Sequence, residues 1–353
     1  MLDHEANRVP AGSPHKAISQ MWSLNEDKTL KAKLSKPAAE REAMILDSLN
    51  RINIKNLTIP TGSGGASSPT INKPTLLLEA LASVTWERIK YSVEYHVSQG
   101  EETITDINLL EIAMSGVKEI DLWKCPKRDE SRTGIDWEWL IGSPKRGWLR
   151  YAVQAKKLDP VSMRYGELGH RVGPKGKSER QIDILKRHAQ RREAIPLYCL
   201  YNHVLEPDYK PYWHCSLDVD VPQLGCSVAP LRVVEEALVK KGRASKRTFR
   251  HIHSNPYTLP WRCLVRCGHV LKLYTRGDEF DDDGFGKVRV HRSLPRDISN
   301  LFQRDDISEA RYDLQAEFIP KRIMVINIGD EEPREVRSED NIEDDRLPEI
   351  RKF

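Results

Sequence analysis

Apolar residues three and four positions apart set the first strong pattern in the chain. Over 76–97 (LLLEALASVTWERIKYSVEYHV) this spacing predicts an amphipathic helix. Thr103 to Met114 predicts a second helix, with Thr103 and Asp106 spaced as a capping box and Leu109, Leu110 and Ala113 as its buried face. The period then shortens. Val117 to Trp123 predicts a strand, Ile135 to Ile141 (IDWEWLI) alternates and predicts another, and Trp148 to Leu158 a third. Helical spacing returns over Ser178 to Glu193, with Ser178 as N-cap and Ile182, Leu185 and Ala189 facing inward. Ile195 to Tyr201 predicts a short buried strand. A hairpin of three strands flanked by helices, with a fourth strand returning after a crossover, makes an α/β fold with a mixed central sheet.

Weaker patterns follow. Tyr212–Val221, Trp261–Cys267 and Arg322–Ile328 predict strands and Ala229–Lys241 a helix, all extending or covering the same core. The stretch DEFDDDGFG (278–286) reads as an acidic surface loop. Residues 1–75 read as a flexible or partly helical extension, with a helix over 27–49 interrupted at Pro37 and a Gly/Ser linker over 60–75. The main domain is then 76–275, with its core at about 100–205. Residues 276–328 form an accessory segment packing on that core, and 329–353 a disordered acidic tail.

Composition narrows the class. The 353 residues carry a net charge of +4, with 31% charged and 39% hydrophobic residues. No apolar run reaches the ~18 residues of a membrane span, and the N-terminus has no apolar signal region. Six irregularly spaced cysteines do not make a disulfide framework, so free thiols in a reducing cytoplasm are expected.

The candidate chemistry lies on the second and third strands. Asp136 and Glu138 share one face and Trp137 and Trp139 the other; Gln154 and Lys156 share a face of the next strand. If the hairpin pairs these strands, Asp136, Gln154 and Lys156 converge at the sheet edge. A carboxylate and an amide oxygen suit a hard cation such as Mg²⁺ (or Mn²⁺), and an ammonium beside them suits the charge of phosphodiester hydrolysis. A third oxygen ligand is wanted. Glu102, on the stripe with Asp106 and Leu109, is preferred, with Glu101 the alternative. Glu138 reads as a polar position near the site rather than a ligand.

A helix with an early Glu, then GID (134–136), then QAK (154–156), resembles the restriction-endonuclease-like PD-(D/E)XK superfamily. Gln in place of the usual acid resembles its Mrr-like branch, with D…QxK. The resemblance spans about 100–205. It implies an αβββαβ core, Mg²⁺ dependence and hydrolysis of DNA, carried by Glu102 (with Glu101 the alternative), Asp136, Gln154 and Lys156. The arrangement is also similar to small bacterial nuclease families, some tied to phage defence, and many nucleases of this fold act as homodimers. Ile135 stands where the usual motif has Pro.

Between Arg171 and Arg192 eight Lys or Arg face Glu179 and Asp183 alone, a local charge of +6. Arg171, Lys175, Lys177 and Arg180 are therefore expected to contact nucleic acid, and Gln181, in the first turn of the helix, to approach the site. The second basic run, 240–250, reads as a surface loop that could also touch nucleic acid. His251, His253, Cys263, Cys267 and His269 fall within nineteen residues, but C-x3-C without a second pair is not a finger spacing, so zinc is not expected. Cys199, Cys215 and Cys226 are scattered in apolar segments, and no nucleotide-binding loop is present. The expectation is a metal-dependent endonuclease acting on DNA, with RNA as the alternative substrate and another chain of a defence system as a candidate partner. The rival is a non-catalytic nucleic-acid-binding or scaffold subunit on the same fold.

Overall fold

The computed structural model describes residues 73–124, 135–174, 177–239, 246–303 and 320–330. The readings of 1–72, of the tail from 331 and of most of the 240–250 run lie outside the described residues, as does Lys175.

Helix α1 (Lys73–Glu94) buries Leu77, Leu78, Leu81, Ala82, Thr85, Trp86 and Ile89, the three-and-four spacing read from the sequence. It starts three residues earlier than expected because Pro74, unable to donate, is accepted in a first turn. Gly225 comes so close to this helix that a Cβ there would lie 2.1 Å from Ala82 O.

Helix α2 (Glu101–Ser115) starts after Gly100 and ends at Gly116, whose φ of 66° is left-handed. The capping box at Thr103 is therefore corrected. Glu101 and Glu102 place their charge in the first turn instead, and Asp106 is taken by Arg322, whose Nε donates to Oδ1 at 3.0 Å. The buried face is Ile104, Thr105, Asn108, Leu109 and Ile112; Leu110 and Ala113 point outward. Two polar residues hold core positions because each is bonded: Thr85 Oγ1 donates to Asn108 Oδ1 at 3.2 Å, and Thr105 shares a hydrogen bond with Tyr201 OH at 2.9 Å.

Strands β1 (Ile120–Lys124), β2 (Trp137–Ser143) and β3 (Gly147–Lys157) follow, and β2 and β3 form an antiparallel hairpin. Strand β2 is buried on both faces, despite its alternating sequence. Short strands β4 (Arg171–Val172) and β5 (Glu179–Arg180) pair with each other before α3 (Gln181–Arg191). Ser178 is thus not the N-cap of α3; its hydroxyl accepts from Arg171 Nε at 3.1 Å. Strand β6 (Ile195–Tyr201) runs parallel to β3, with Gln154 opposite Tyr198 and Lys156 opposite Leu200.

Beyond β6 the sequence reading needs more correction. The stretch 212–221, interrupted by no regular strand, leads to a short turn of helix at Val221–Gly225 and then to β7 (Cys226–Pro230). Helix α4 (Leu231–Leu238) begins only after Pro230, since Ala229 and Pro230 belong to β7. Helix α5 (Phe249–His253) and strand β8 (Leu259–Pro260) precede α6 (Cys263–Arg266) and α7 (Gly268–Leu271), where a strand was expected. The acidic stretch is a hairpin of β9 (Glu279–Asp282) and β10 (Gly286–His291). Asp282 Oδ1 accepts from the amides of Gly284 and Phe285, which makes the turn, and Phe285 is buried. Helix α8 (Arg296–Gln303) and strand β11 (Arg322–Asn327) complete the described chain.

The fold is α/β with a mixed central sheet in the order β1-β11-β2-β3-β6-β7-β8, and β10 pairs with the start of β3. Strand β11 lies parallel to β2 and antiparallel to β1. Five of its six residues are buried, as a continuous apolar run in mid-sheet should be. The segment 276–328 therefore supplies strands to the sheet rather than only packing on it. Helices α3 and α4 cover one face of the sheet through Ile182, Leu185, Ala189, Val233, Val234 and Ala237.

Candidate active site

Asp136 sits at the entrance to β2, where its amide donates to Val153 O at 3.1 Å. That bond continues the β2–β3 ladder by one step and places Asp136 beside Gln154. The Ala155 amide donates to Asp136 Oδ2 at 2.9 Å, and Gln154 Nε2 donates to the same oxygen. Gln154 is 1% exposed, and its Oε1 is buried with no partner among the described residues. Burial pushes the Asp136 carboxyl above its ordinary value, against the pull of the Ala155 amide and of the Lys321 and Lys156 ammoniums; Glu101 adds to the rise.

Lys156 is 3% exposed, and its Nζ donates to Glu101 Oε1 at 3.0 Å. Two further bonds hold the start of α2 in place: Lys157 Nζ donates to Gln99 O at 2.7 Å, and Thr105 ties the helix to Tyr201. Glu102, the preferred ligand in the sequence reading, turns outward. It is 62% exposed and pairs with Lys321 Nζ at 3.2 Å. The carboxylate that reaches the strand end is Glu101. Lys321, just before β11, also lies 4.0 Å from Asp136 Oδ1. So Asp136, Gln154, Lys156 and Glu101 are brought together, and Lys321 joins them.

Tyr198 is a further neighbour. It stands opposite Gln154 on β6, and its hydroxyl is buried without a partner among the described residues. Burial, then the charges of Glu235, Asp183 and Asp136, raises its phenol. Gln181, at the first position of α3, likewise has a buried Oε1 without a partner there. No hydrogen bond joins it to Asp136 or Gln154 among those described.

The basic segment is largely neutralised by its own neighbours. Arg180 makes two bonds to Asp183, at 2.6 and 2.7 Å, and Arg187 two to Glu179. Lys186 pairs with Glu235 at 3.0 Å, and Arg192 with Glu138 at 3.1 Å. Arg171 is spent on Ser178. Lys177 is exposed.

Glu138, fully buried, is the centre of an ionic network on the same sheet face. Arg150 Nη2 donates to it at 2.6 Å, His188 Nε2 lies 2.9 Å from its Oε1, and Arg192 Nε donates at 3.1 Å. Arg150 also reaches Asp297 at 2.9 Å. Burial alone would raise the Glu138 carboxyl; Arg150, His188 and Arg192 outweigh it and hold the group far below its ordinary value. Its three cationic partners make it a structural charge.

The sequence reading missed Lys321 and Tyr198. Lys321 is separated from Glu102 by 219 positions, and only the insertion of β11 beside β2 brings it in. Tyr198 sits in an apolar strand and reads as core. The reading also left Cys215 apart from Cys263 and Cys267, whose three sulfurs all lie within 4.8 Å of one another.

A desolvated carboxylate, a buried amide and a lysine on adjacent strands, faced by a glutamate from a helix N-terminus, define a polar site at one end of a mixed α/β sheet. The family model of DUF6615, a family of unknown function, matches residues 75–332. The chain belongs to that family. Neither a curated protein nor a solved structure matches it.

Proposed function

We propose that the protein is a metal-dependent nuclease that hydrolyses DNA phosphodiester bonds. The observation that carries this reading is the convergence of Asp136, Gln154 and Lys156 on paired strands with Glu101 above them. The chain order is α2-β1-β2-β3-β4-β5-α3-β6, so the αβββαβ order implied by the PD-(D/E)XK resemblance is met only if the short β4–β5 pair is taken as an insertion, and β11 between β1 and β2 departs from a simple hairpin of three strands.

The residues present fit a hard divalent cation. Asp136 and Glu101 offer carboxylate oxygens, and the unpartnered Gln154 Oε1 offers a third donor. Gln154 turns its amide N–H to the Asp136 carboxylate; a cation would be held by its amide oxygen together with the carboxylates of Asp136 and Glu101. When bound, Mg²⁺ supplies positive charge at the scissile phosphate. Lys156 has its own part: a buried ammonium, fixed by Glu101, that stabilises charge growing on the phosphate oxygens.

A second reading is favoured by Lys321. An ammonium 4.0 Å from Asp136 and 3.2 Å from Glu102 is a cation supplied by the chain itself. A permanently neutralised site would suit a nucleic-acid-binding or scaffold subunit without catalysis. Plasmid cleavage separates the two. Wild type with Mg²⁺ or Mn²⁺ should nick or linearise DNA, EDTA should stop it, and Asp136→Ala and Lys156→Ala should be inactive. A metal-independent gel shift with no cleavage would favour the second reading. Cutting both strands asks for two such sites, so a homodimer is the proposed assembly, checked by light scattering; a role as a defence effector is the setting the resemblance implies. No helix among the described residues is long and apolar enough to cross a membrane.

A further inference from the structure

We propose that Cys215, Cys263 and Cys267 bind a zinc ion that staples the connection between β6 and β7 to helix α6. The three Sγ atoms lie within 4.8 Å of one another, and Cys215 and Cys267 are 3.4 Å apart. In a tetrahedral site with Zn–S bonds of about 2.3 Å the sulfurs stand about 3.8 Å apart, so small shifts of these side chains close the shell. Cys263 and Cys267 are one helical turn apart and project to one side. Thiols are weak hydrogen-bond partners, and three packed together gain little from each other; three soft donors gain much from a soft-tolerant cation.

The surroundings carry the charge. Three thiolates around Zn²⁺ leave a net charge of −1. Arg262 Nη2 lies 3.7 Å from Cys215 Sγ, and the guanidinium is itself held by Glu79 at 2.9 Å and by the Trp213 ring at 5.4 Å. Binding breaks three S–H bonds and forms three S–Zn bonds, and the three protons leave to solvent. The fourth position is left to water, since Cys215 is only half-buried.

The site also bears on the fold. Residues 202–225 form the connection from β6 to β7, with only two short turns of helix, Lys210–Tyr212 and Val221–Gly225. Cys215 lies near its middle and anchors it to α6. This role is independent of the Asp136 site.

The test is the metal content of the full chain, purified without chelator, by mass spectrometry. About one zinc per chain is expected for wild type and for Asp136→Ala, and near zero for Cys215→Ser and Cys263→Ser. Because these variants could misfold, wild type is also loaded with Co²⁺. A sulfur-to-cobalt charge-transfer band and the visible bands of a tetrahedral site are expected, along with new proteolytic cuts within 202–222 once the metal is stripped. The proposal is overturned if wild type holds no zinc even after dialysis against it. It is also overturned if Co²⁺ gives no thiolate band, or if native mass mapping shows a disulfide between Cys215 and Cys267.

Discussion

Lys156 Nζ donates to Glu101 Oε1 across 3.0 Å, and that bond fixes the first turn of α2 against the end of β3. Glu102, one residue on, points to solvent and Lys321. The two glutamates should therefore behave differently. Glu101→Gln should lower metal-dependent cleavage by roughly 10²–10³-fold, the usual cost of one lost group at a charged transition state. Glu102→Gln, whose exposed ion pair is worth at most about 1 kcal/mol, should stay within roughly fivefold of wild type. Initial rates on supercoiled plasmid at saturating Mg²⁺ decide it. The reverse order would move the ligand back to Glu102.

Tyr198 offers a cleaner separation of stability from chemistry. Tyr198 stands opposite Gln154 on β6, its hydroxyl is buried and unpartnered among the described residues, and burying a hydroxyl without a hydrogen bond costs about 1–3 kcal/mol. Tyr198→Phe should keep or raise the Tm. If the hydroxyl donates to substrate, cleavage should fall by roughly tenfold, the value of one ordinary hydrogen bond. A lowered Tm would show a partner within the protein, and unchanged cleavage would place the hydroxyl outside the site.

Much of this site was legible in the sequence, and the illegible part has a physical pattern. Asp136, Gln154 and Lys156 were readable because a hairpin converts spacing two apart on each strand into one shared face. The choice between Glu101 and Glu102 was not. It turns on where α2 begins, and Gly100 rather than Thr103 sets that start. The helix stripe was misread for a related reason: Thr105 and Asn108 are polar yet buried, because Tyr201 and Thr85 satisfy them. The basic segment looked like a phosphate clamp while counted along the chain. In space its partners include Glu235 and Glu138, which no local count includes. The place of β11 was hidden altogether, since strand order is a long-range property.

The Glu138 network predicts a large stability effect without a catalytic one. Glu138 is fully buried among Arg150, His188 and Arg192. Removing one partner of a buried ion pair leaves uncompensated charge and costs about 3–5 kcal/mol. Glu138→Ala should lose that much in urea unfolding. The metal affinity of whatever fraction stays folded should match wild type, read by Mn²⁺ titration. A loss below about 1 kcal/mol would mean the network is open to water in solution.

Two buried groups separate the acid side of the stability curve into windows. Burial pushes His253 down to about 3 from its ordinary 6.5, helped by His214 and opposed by its bond to Phe249 O. A base with a lowered folded value is protonated first in the unfolded chain, so its contribution is full above pH 6.5 and is lost as pH falls towards 3. Glu138, an acid held below its ordinary 4.5, contributes fully above that pH and loses its share only below it. Stability should thus start to fall below pH 6.5 in wild type. His253→Gln should reduce the slope between 6.5 and 4.5 without abolishing it, because burial also lowers His203 and His291, and should leave the steeper loss below 4.5. A variant with the same slope across both windows would show that His253 is not held neutral.

The internal pairing of the basic segment sets how steeply DNA binding should depend on salt. Eight Lys or Arg lie between 171 and 192, and four of them, Arg180, Lys186, Arg187 and Arg192, are ion-paired within the chain. Each phosphate contact contributes about −0.9 to the slope of log K against log salt. If all eight served as contacts the slope would approach about −7; with four withdrawn, it should not exceed about −4 in magnitude. Arg187→Ala should leave the slope unchanged, because Glu179 already holds that guanidinium. Lys177→Ala should reduce it by about one contact, since that ammonium is exposed at the mouth of the β4–β5 turn. Fluorescence anisotropy on a labelled duplex from 50 to 300 mM KCl, roughly the range over which such slopes are read, makes the comparison. A slope near the full value would mean that the ion pairs open on binding, and the segment would then be the main phosphate contact after all.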